Sequence, residues 1–597
     1  MRPRPLSTAS LCGAALALLA AGPAQAQTNV KGAWSAPILI SGLDGTHATL
    51  LHTGKVLFLP HRESPSGLTT SALFNPLSPS PVKYQTVPQN WFCGGNSQLP
   101  DGRVLFNGGE TIVGPASLDL KASGTYDPVT ETWSEQAFMK RRRWYPSSLQ
   151  MGDGRVWTFG GMSEAGEDNP DNTIEIYDHE ANTWTLAGGQ NLPGQWEEAY
   201  NRLHLLPDGH VFQSGHLPNT YRYNPTQKTW TFVDQTNLGK PRGDGAAVRL
   251  QDGRIMIVGG QDLNDYFSSA EIIDLDAPNP QWAWLPSMKV ARAFITATML
   301  PDGRVLVVGG DEATGPMNRT PELYDPVANT WTNMAQHSIP RGYHATALLL
   351  PDARVMIASG EGQNGPGLYE ESDRIELWSP PYLFQTPRPV IQSLANSASY
   401  GQQLSMSYSS SVPVQSVVLH RTGSSTHSFN YNQISVPVSL DADTGSSLSF
   451  TIPSNPNLLP AGYYMAFLMS ADGVPSVAEW VRIDGSTPPT GPSFDVAGLA
   501  GGSSATLTAE GLTPGAPIAM GYSLLGAGPL PVVVACGSAV VELNSPVLLG
   551  LPVADATGRA TLVTPFIPAS ATGLSIWFDA LDFQSCVSPP GIAATIQ

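Results

Sequence analysis

The sequence is poor in charged residues, and this shortage narrows the class of partners. Only 13% of its 597 residues are charged, and the net charge is −18. Lysine and arginine together number 31 and are outnumbered by 49 acidic residues. Nucleic-acid-binding domains have the opposite balance, with basic side chains gathered on one face. We therefore expect no nucleic-acid partner.

Long hydrophobic segments are also missing. The apolar run at 11–22 is well short of the roughly 20 residues that cross a bilayer. Arg2 and Arg4 precede this run, and small residues at 24–26 follow it, in the order typical of a secretory signal. We expect residues 1–26 to be a signal peptide and the mature protein to be secreted, or periplasmic, without a membrane span.

Cysteine is scarce, with four residues in the whole chain. Cys12 lies in the expected signal peptide. Export favours a disulfide between Cys536 and Cys586, which both lie near the C-terminus. Cys93 is then left alone, and a lone cysteine in an oxidising compartment is either buried and inert or chemically used.

Glycine and proline, by contrast, are abundant, with 59 and 53 residues. Both residue types interrupt regular structure, and such a content favours short strands and turns over long helices. The composition therefore predicts an all-β protein.

A hairpin pattern recurs through the first 380 residues or so. A tight turn leads into an apolar run and, in most units, a glycine pair, and a second hairpin with a late tryptophan follows in several units. Asp-Gly between apolar runs indicates a hairpin because the turn needs positive φ. The seven turns are Thr53-Gly54, Asp101-Gly102, Asp153-Gly154, Asp208-Gly209, Asp252-Gly253, Asp302-Gly303 and Asp352-Ala353.

Two hairpins in each unit make a four-stranded sheet. Units with a glycine pair and a late tryptophan resemble kelch repeats, and seven of them can close into a propeller that protects its strand edges. An open array of hairpins is the alternative, but it would leave apolar faces and strand edges exposed. We predict a seven-bladed kelch-like β-propeller.

The repeat stops after residue 381, and the composition changes again near residue 486. These changes predict a propeller at 27–385 and an immunoglobulin-like β-sandwich of alternating short strands at 386–485. A linker rich in proline and glycine follows at 486–492. A further small β domain at 493–597 either binds a surface or polymer or only adds stability.

The repeat brings residues that are distant in sequence to equivalent positions. Eight residues before each of the six later turn positions lie Cys93, Tyr145, Tyr200, Asp244, Phe294 and His344. In a propeller this position is near the central channel, so we expect these side chains to converge at the axis. The plainer interpretation is that axial residues are polar because the channel is wet. His47 and His52, in the first unit, are expected to face solvent.

Four segments are similar to the functional segments of copper-radical oxidases of the glyoxal oxidase and galactose oxidase family. They occur in the family's order and at the expected repeat positions, and the resemblance covers roughly residues 30 to 485. The segments are NWFCGG at 90–95, RWYPSS at 143–148, RGYHATALLLPD at 341–352 and RTGSSTHSFN at 421–430.

The resemblance implies a secreted enzyme that oxidises small aldehydes or primary alcohols with O2 and releases H2O2. Cys93 and Tyr145 would form a thioether radical cofactor, and Tyr145, Tyr343, His344 and His427 would bind Cu2+, with Tyr343 as the base. A set of imidazole nitrogens and phenolic oxygens suits Cu(II). The alternative is a catalytically silent propeller that binds carbohydrate or protein outside the cell.

One feature departs from the galactose oxidase pattern. In that enzyme a tryptophan, placed shortly after the glycine pair of the same blade, stacks over the thioether. Here Met162 and Ser163 follow the pair, as in glyoxal oxidases, which also lack a tryptophan there. The departure favours a glyoxal oxidase-like enzyme and leaves open how the radical would be stabilised.

Overall fold

A computed structural model of the chain divides it into two compact units, Met1–Gly485 and Ser486–Gln597. The expected signal peptide, Cys536 and Cys586 all lie outside the described residues. In the first unit the structure describes residues 28–40, 45–60, 70–78, 82–113, 116–162, 173–191, 200–263, 265–311, 317–363, 369–385 and 387–485. In the second it describes 493–497, 504–510, 516–524, 530–534, 537–541, 547–555, 559–564, 570, 575–582 and 592–595.

Within these ranges seven of the sheets in the first unit are antiparallel propeller blades that follow one another along the chain. Two short strands, β1 (Ala33–Trp34) and β2 (Ile38–Leu39), precede them. Blade 1 is β3 (Gly45–Leu50), β4 (Val56–Pro60), β5 (Thr70–Phe74) and β6 (Lys83–Thr86). Blade 2 is β7 (Gly95–Gln98), β8 (Val104–Asn107), β11 (Ser123–Asp127) and β12 (Thr132–Gln136), with the hairpin β9 (Glu110–Val113) and β10 (Ala116–Asp119) between its halves.

Blades 3 to 5 repeat this arrangement. Blade 3 is β13 (Ser147–Gln150), β14 (Val156–Phe159), β15 (Ile174–Asp178) and β16 (Thr183–Leu186). Blade 4 is β17 (Leu203–Leu205), β18 (Val211–Gln213), β19 (Asn219–Asn224) and β20 (Thr229–Gln235). Blade 5 is β21 (Ala246–Arg249), β22 (Ile255–Val258), β25 (Ala270–Ile273) and β26 (Trp282–Leu285), with β23 (Gln261–Asp262) and β24 (Asp265–Tyr266) as a short hairpin.

The last two blades complete the ring. Blade 6 is β27 (Ala293–Met299), β28 (Val305–Asp311), β29 (Glu322–Asp325) and β30 (Thr330–Asn333). Blade 7 is β31 (Thr346–Leu349), β32 (Val355–Ala358) and β35 (Arg374–Ser379), with β33 (Glu361–Gln363) and β34 (Tyr369–Glu371) as a hairpin. The N-terminal strands β1 and β2 pair antiparallel with β35, so the beginning of the chain supplies the outer edge of its last blade. The predicted all-β propeller fold is confirmed.

Hydrogen bonds in the Asp-Gly turns explain why the same residues recur in successive repeats. In the second blade the Asp101 carboxylate accepts hydrogen bonds from the backbone N–H and the Nε of Arg103, at 3.0 and 2.7 Å. Gly102 between them has a φ of 91°, which an L residue rarely adopts. The same Asp-to-Arg contacts recur in the turns that begin at Asp153, Asp252, Asp302 and Asp352.

A buried arginine–glutamate pair lies inside four of the blades. In blade 6, Arg292 Nη2 lies 2.6 Å from Glu322 Oε1, and both side chains are almost fully buried. The same arginine donates to the Gly309 carbonyl, and the carboxylate accepts the backbone N–H of Lys289. In three of the four blades the arginine thus fixes the glycine pair to the next hairpin, and in blade 7 the equivalent carbonyl belongs to Ser359. The other three pairs are Arg143–Glu175, Arg242–Glu271 and Arg341–Glu376.

The β-sandwich follows the short 3-10 helix Pro381–Phe384. Its strands are β36 (Val390–Leu394), β37 (Ser397–Ala398), β38 (Gln403–Ser409), β39 (Val414–Arg421), β42 (Ser435–Asp443), β43 (Ser447–Thr451), β44 (Gly462–Ser470) and β45 (Glu479–Ile483). They enclose a core that includes Leu419, Phe450 and Tyr464.

One hairpin of the sandwich leaves its own domain and joins the propeller. Strands β40 (Ser424–Thr426) and β41 (Phe429–Asn430) form it, and β40 pairs antiparallel with β3 of blade 1. The hydroxyls of Ser424 and Thr49 lie 2.6 Å apart across this pairing. The hairpin thereby becomes part of the blade 1 sheet.

The second unit has a small β core of its own. Its strands are β46 (Ser493–Ala497), β47 (Thr506–Glu510), β48 (Ile518–Ser523), β49 (Leu530–Val534), β50 (Gly537–Val541), β51 (Val547–Gly550), β52 (Ala560–Val563), β53 (Ser575–Asp582) and β54 (Ile592–Thr595). Leu507, Ile518 and Phe578 are among its buried residues. Across the described part of the whole chain, no helix has the length and hydrophobicity to cross a membrane.

The buried ion pairs lead to a prediction about stability. Replacing Glu322→Gln leaves the Arg292 guanidinium buried without its counter-charge, and we expect a loss of about 3 kcal/mol or more in unfolding free energy, measured in urea. Asp252→Asn is the matched control, because Asp252 pairs with Arg254 at the surface. The control should change stability by about 0.5 kcal/mol or less. Equal losses in both variants would contradict the structural role of the buried pair.

Candidate metal centre

Six equivalent residues, one from each of blades 2 to 7, share an unusual backbone conformation at the start of the inner strand. Their φ angles lie between 51° and 67°, in the left-handed region that few non-glycine residues adopt. This conformation turns the chain sharply just before the strand begins. The six residues are Cys93, Tyr145, Tyr200, Asp244, Phe294 and His344.

Backbone hydrogen bonds connect these residues from blade to blade. The N–H of Tyr145 donates to the Cys93 carbonyl at 2.9 Å, and the N–H of Tyr200 donates to the Tyr145 carbonyl at 3.2 Å. The N–H of Phe294 likewise donates to the Asp244 carbonyl at 2.9 Å. Side chains that are about fifty residues apart in sequence, as Cys93 and Tyr145 are, are therefore held next to each other.

The inserted hairpin of the sandwich adds His427 to this group. His427 and Ser428 form its turn, with φ angles of 43° and 67°. The Thr426 hydroxyl lies 2.7 Å from His427 Nδ1, which fixes the orientation of the ring. His427 Nε2 then lies 3.4 Å from the Cys93 Sγ.

The structure brings all five of the sequence-predicted site residues together. One ligand atom from each of Cys93, His344 and His427 lies within 4.8 Å of the others, and all three residues are buried. The hydroxyls of Tyr145 and Tyr343 are 3.2 Å apart. The His427 ring centroid lies 5.3 Å from that of Tyr145 and 5.2 Å from that of Tyr343.

Burial controls the protonation of the two phenols. Desolvation raises the pKa of Tyr145 well above its usual value, and the nearby Cys93 thiol adds to this effect. Desolvation, followed by Cys93, also raises the pKa of Tyr343, although its hydrogen bond with Tyr145 acts in the opposite direction. Forming a phenolate here therefore requires a neighbouring positive charge. Two phenolic oxygens and two imidazoles around a bound divalent ion would satisfy this requirement, so the residues fit a metal site.

Tyr200 and Trp144 form an aromatic wall around Tyr145. The Tyr200 hydroxyl donates to the Gly94 carbonyl at 3.0 Å, and its ring lies 4.9 Å from the ring of His427. The Trp144 ring stacks on the ring of Tyr145, with centroids 4.5 Å apart and planes 27° apart. Sequence reasoning looked for such a ring after the glycine pair and missed it. No sequence signal marks this stack, because residue type does not dictate the left-handed turn at Tyr145 that accompanies it.

The expectation that His47 faces solvent is wrong. His47 is only 1% exposed, because the hairpin that carries His427 covers its strand. Its Nδ1 lies 3.3 Å from the amide nitrogen of Asn96, and its ring centroid is 6.4 Å from that of His427. Desolvation, followed by the nearby His344, lowers the pKa of His47 to about 3. A third, neutral imidazole therefore lies next to those of His344 and His427. His52 is partly buried and stacks on Tyr463 at the border with the sandwich.

Comparison with known proteins agrees with this architecture. The sequence family described as "Galactose oxidase-like, Early set domain" matches residues 388–483, and the kelch motif matches residues 143–189. A galactose oxidase from Gibberella zeae is 31% identical over 471 residues. The solved structure of a fungal alcohol oxidase of the AA5 family, in complex with copper, matches with a TM-score of 0.67 at 26% identity, covering 76% of this chain and 99% of that one. This chain contains a galactose oxidase-like early set domain.

The two matched segments contain two of the five site residues. The early set match contains the hairpin that carries His427, and the kelch match contains Tyr145 and blade 3. An aldehyde oxidase named GLOX from Vitis pseudoreticulata is 25% identical over 455 residues, which is 68% of this chain and 84% of that protein. The alignment with the galactose oxidase covers 70% of this chain but 65% of the relative, slightly less than two thirds of its length.

Proposed function

We propose that this protein is a secreted mononuclear copper-radical oxidase that oxidises small aldehydes or primary alcohols with O2 and releases H2O2. The observation that carries this proposal is the meeting of two phenols, two imidazoles and one thiol in a single buried site. The relatives named galactose oxidase, aldehyde oxidase and alcohol oxidase support it. A purely binding propeller would have no need for this particular set of side chains at its axis.

Tyr145, Tyr343, His344 and His427 would hold the copper ion. Nitrogen and oxygen donors suit Cu(II), and a divalent ion would lower the high cost of a buried phenolate. The Thr426 hydroxyl, 2.7 Å from His427 Nδ1, leaves Nε2 as the coordinating atom of that ring. An outer partner of this kind orients a metal-binding histidine.

Cys93 and Tyr145 would be joined by a thioether between the sulfur and a ring carbon of the phenol. Forming this bond removes one hydrogen from the thiol and one from the ring. The two electrons and two protons reduce O2 to H2O2, so the step is balanced. The backbone hydrogen bond between the two residues supports the assignment because it holds their side chains next to each other.

Copper supplies one-electron redox chemistry, whereas oxidation of an alcohol removes two electrons, so a second redox group is needed. Tyr145, as the thioether radical, would take the hydrogen atom from the substrate carbon. Tyr343 would accept the proton of the substrate hydroxyl. Overall, a primary alcohol and O2 give an aldehyde and H2O2. A hydrated aldehyde offers the same hydroxyl and hydrogen and gives a carboxylic acid.

Trp144 would stabilise this radical. Its ring covers one face of Tyr145 at 4.5 Å, which excludes water from that face and allows the two π-systems to interact. The Trp144 indole would therefore take the place of the stacked tryptophan that is missing after Gly161.

The first prediction concerns the metal. Protein reconstituted with Cu2+ should bind about one ion per chain, and His427→Ala should lose that ion because it removes one of four donors. His210→Ala is the control, since His210 lies in a surface turn and pairs with Asp208. Atomic absorption after desalting measures both variants. A preference for Zn2+, or full copper occupancy in His427→Ala, would rule out the proposed ligand set.

The second prediction concerns the thioether. After exposure to copper and air, the peptides that contain Cys93 and Tyr145 should be recovered as one species, lighter than the free pair by two hydrogen atoms. Cys93→Ala should keep the melting temperature within a few degrees but reduce peroxide release to background. Mass spectrometry and a peroxide assay measure these outcomes. A free thiol at Cys93 in fully active enzyme would exclude the mechanism.

The third prediction concerns Trp144. Trp144→Ala should bind copper normally, but the oxidised site should return to its reduced form about fivefold faster, because an aromatic contact is worth about 1 kcal/mol. Trp144→Phe should restore most of the lifetime. The decay of the radical absorption band measures the effect. Identical decay in wild-type protein and the alanine variant would show that the stack has no role.

A further inference from the structure

A small cavity lies beside the hairpin that carries His427. Its volume is about 30 Å3, and it is lined by the inner strands β13, β17 and β21 of blades 3 to 5 and by the chain that leaves the hairpin. A space of this size holds about two water molecules. Among the described residues that line it there is no aspartate or glutamate.

Arg421 brings a buried positive charge to this cavity. It is 2% exposed, and within the described part of the chain no carboxylate lies within ion-pairing distance of it. Its Nη2 donates to the Gln150 side-chain oxygen and, at 3.5 Å, to the Gln98 carbonyl. Its Nε has no hydrogen-bond partner among the described residues.

Arg421 differs from four other buried arginines, which have a counter-ion. Arg143, Arg242, Arg292 and Arg341 each have a buried glutamate as counter-ion. A buried charge without a counter-charge is strongly destabilising. These four arginines are therefore neutralised within the blades, but the residues described around Arg421 provide no such group.

Two other residues with hydrogen-bond donors, Asn432 and Arg249, line the same cavity. The side-chain nitrogen of Asn432, a residue that is 2% exposed, has no hydrogen-bond partner among the described residues. Arg249 lines the cavity as well, and its Nη1 donates to the Leu205 carbonyl at 3.3 Å. Arg421, Arg249 and Asn432 thus line a cavity with no acidic residue among those described, and the unsatisfied buried donors of Arg421 and Asn432 require an acceptor.

We propose that this cavity is a binding site for one small monovalent anion, with chloride as the physiological class of ligand. The anion would accept hydrogen bonds from Arg421 and Asn432 and neutralise the buried guanidinium. A space that holds about two water molecules suits a single-atom anion better than a polyatomic anion such as sulfate.

The position of the site gives the anion a structural role. Arg421 is the last residue of β39, before the hairpin, and Asn432 follows β41, after it. An anion held by both residues would join the two ends of the hairpin whose turn contains His427. Bound anion would therefore stabilise the geometry of the proposed metal centre from the sandwich side.

The test uses the full-length protein without copper, so that its result is independent of oxidase activity. Crystals soaked in bromide should show an anomalous peak in the cavity within contact distance of Arg421. The melting temperature should rise by about 2 °C or more when roughly 100 mM chloride replaces an equal concentration of gluconate, which is too large to enter. Ordered water in place of bromide, together with equal melting temperatures in the two salts, would overturn the proposal.

Two variants separate this site from general salt effects. Arg421→Gln should lose the chloride-dependent shift, and Asn432→Ala should weaken it if the glutamine variant does not fold. Arg155→Gln removes the same charge at the surface, where Arg155 pairs with Asp153, and should keep the shift. A shift that persists unchanged in both Arg421→Gln and Asn432→Ala would place the anion elsewhere. A positive result with no copper binding would refute the oxidase proposal and leave the anion site intact.

Discussion

The hydrogen bonds that pass from blade to blade at the axis are the constraint on which the rest of the site depends. Each of these bonds joins the backbone of one left-handed residue to that of the next, so neighbouring side chains are placed by the main chain and not by their own packing. The strain of a left-handed cysteine, tyrosine or histidine costs of order 1 kcal/mol or more at each position. The surrounding sheets, fixed by their buried arginine–glutamate pairs, over-determine these conformations and keep them in place.

Much of this arrangement could be predicted from the sequence because it is periodic. The Asp-Gly turns mark the inner hairpin of most blades, and counting back from them reaches Cys93, Tyr145 and His344 directly. The seven-bladed fold and the resemblance to galactose oxidase-like proteins are confirmed. The copper ligands, the thioether and the domain limits stay predictions.

The features that sequence reasoning missed depend on contacts that follow no repeat. His47 is buried because a strand from another domain, nearly four hundred residues away in sequence, pairs with its own strand. Trp144 stacks on its neighbour because of a backbone angle that no residue type dictates. The arginine–glutamate pairs join residues some thirty positions apart, and their side chains look like ordinary surface charges until burial is known.

Because β3 and β40 share a sheet, the propeller is complete only when the sandwich domain is also present. Strand β1, at the start of the propeller, forms the outer edge of the last blade. Strand β40, from the following domain, pairs with the first blade and completes the channel. A growing or truncated chain that ends before residue 424 would have both phenols, the thiol and one imidazole, but an open channel. Under the proposed ligand set, metal binding would therefore need both domains, because His427 comes from the hairpin of the sandwich.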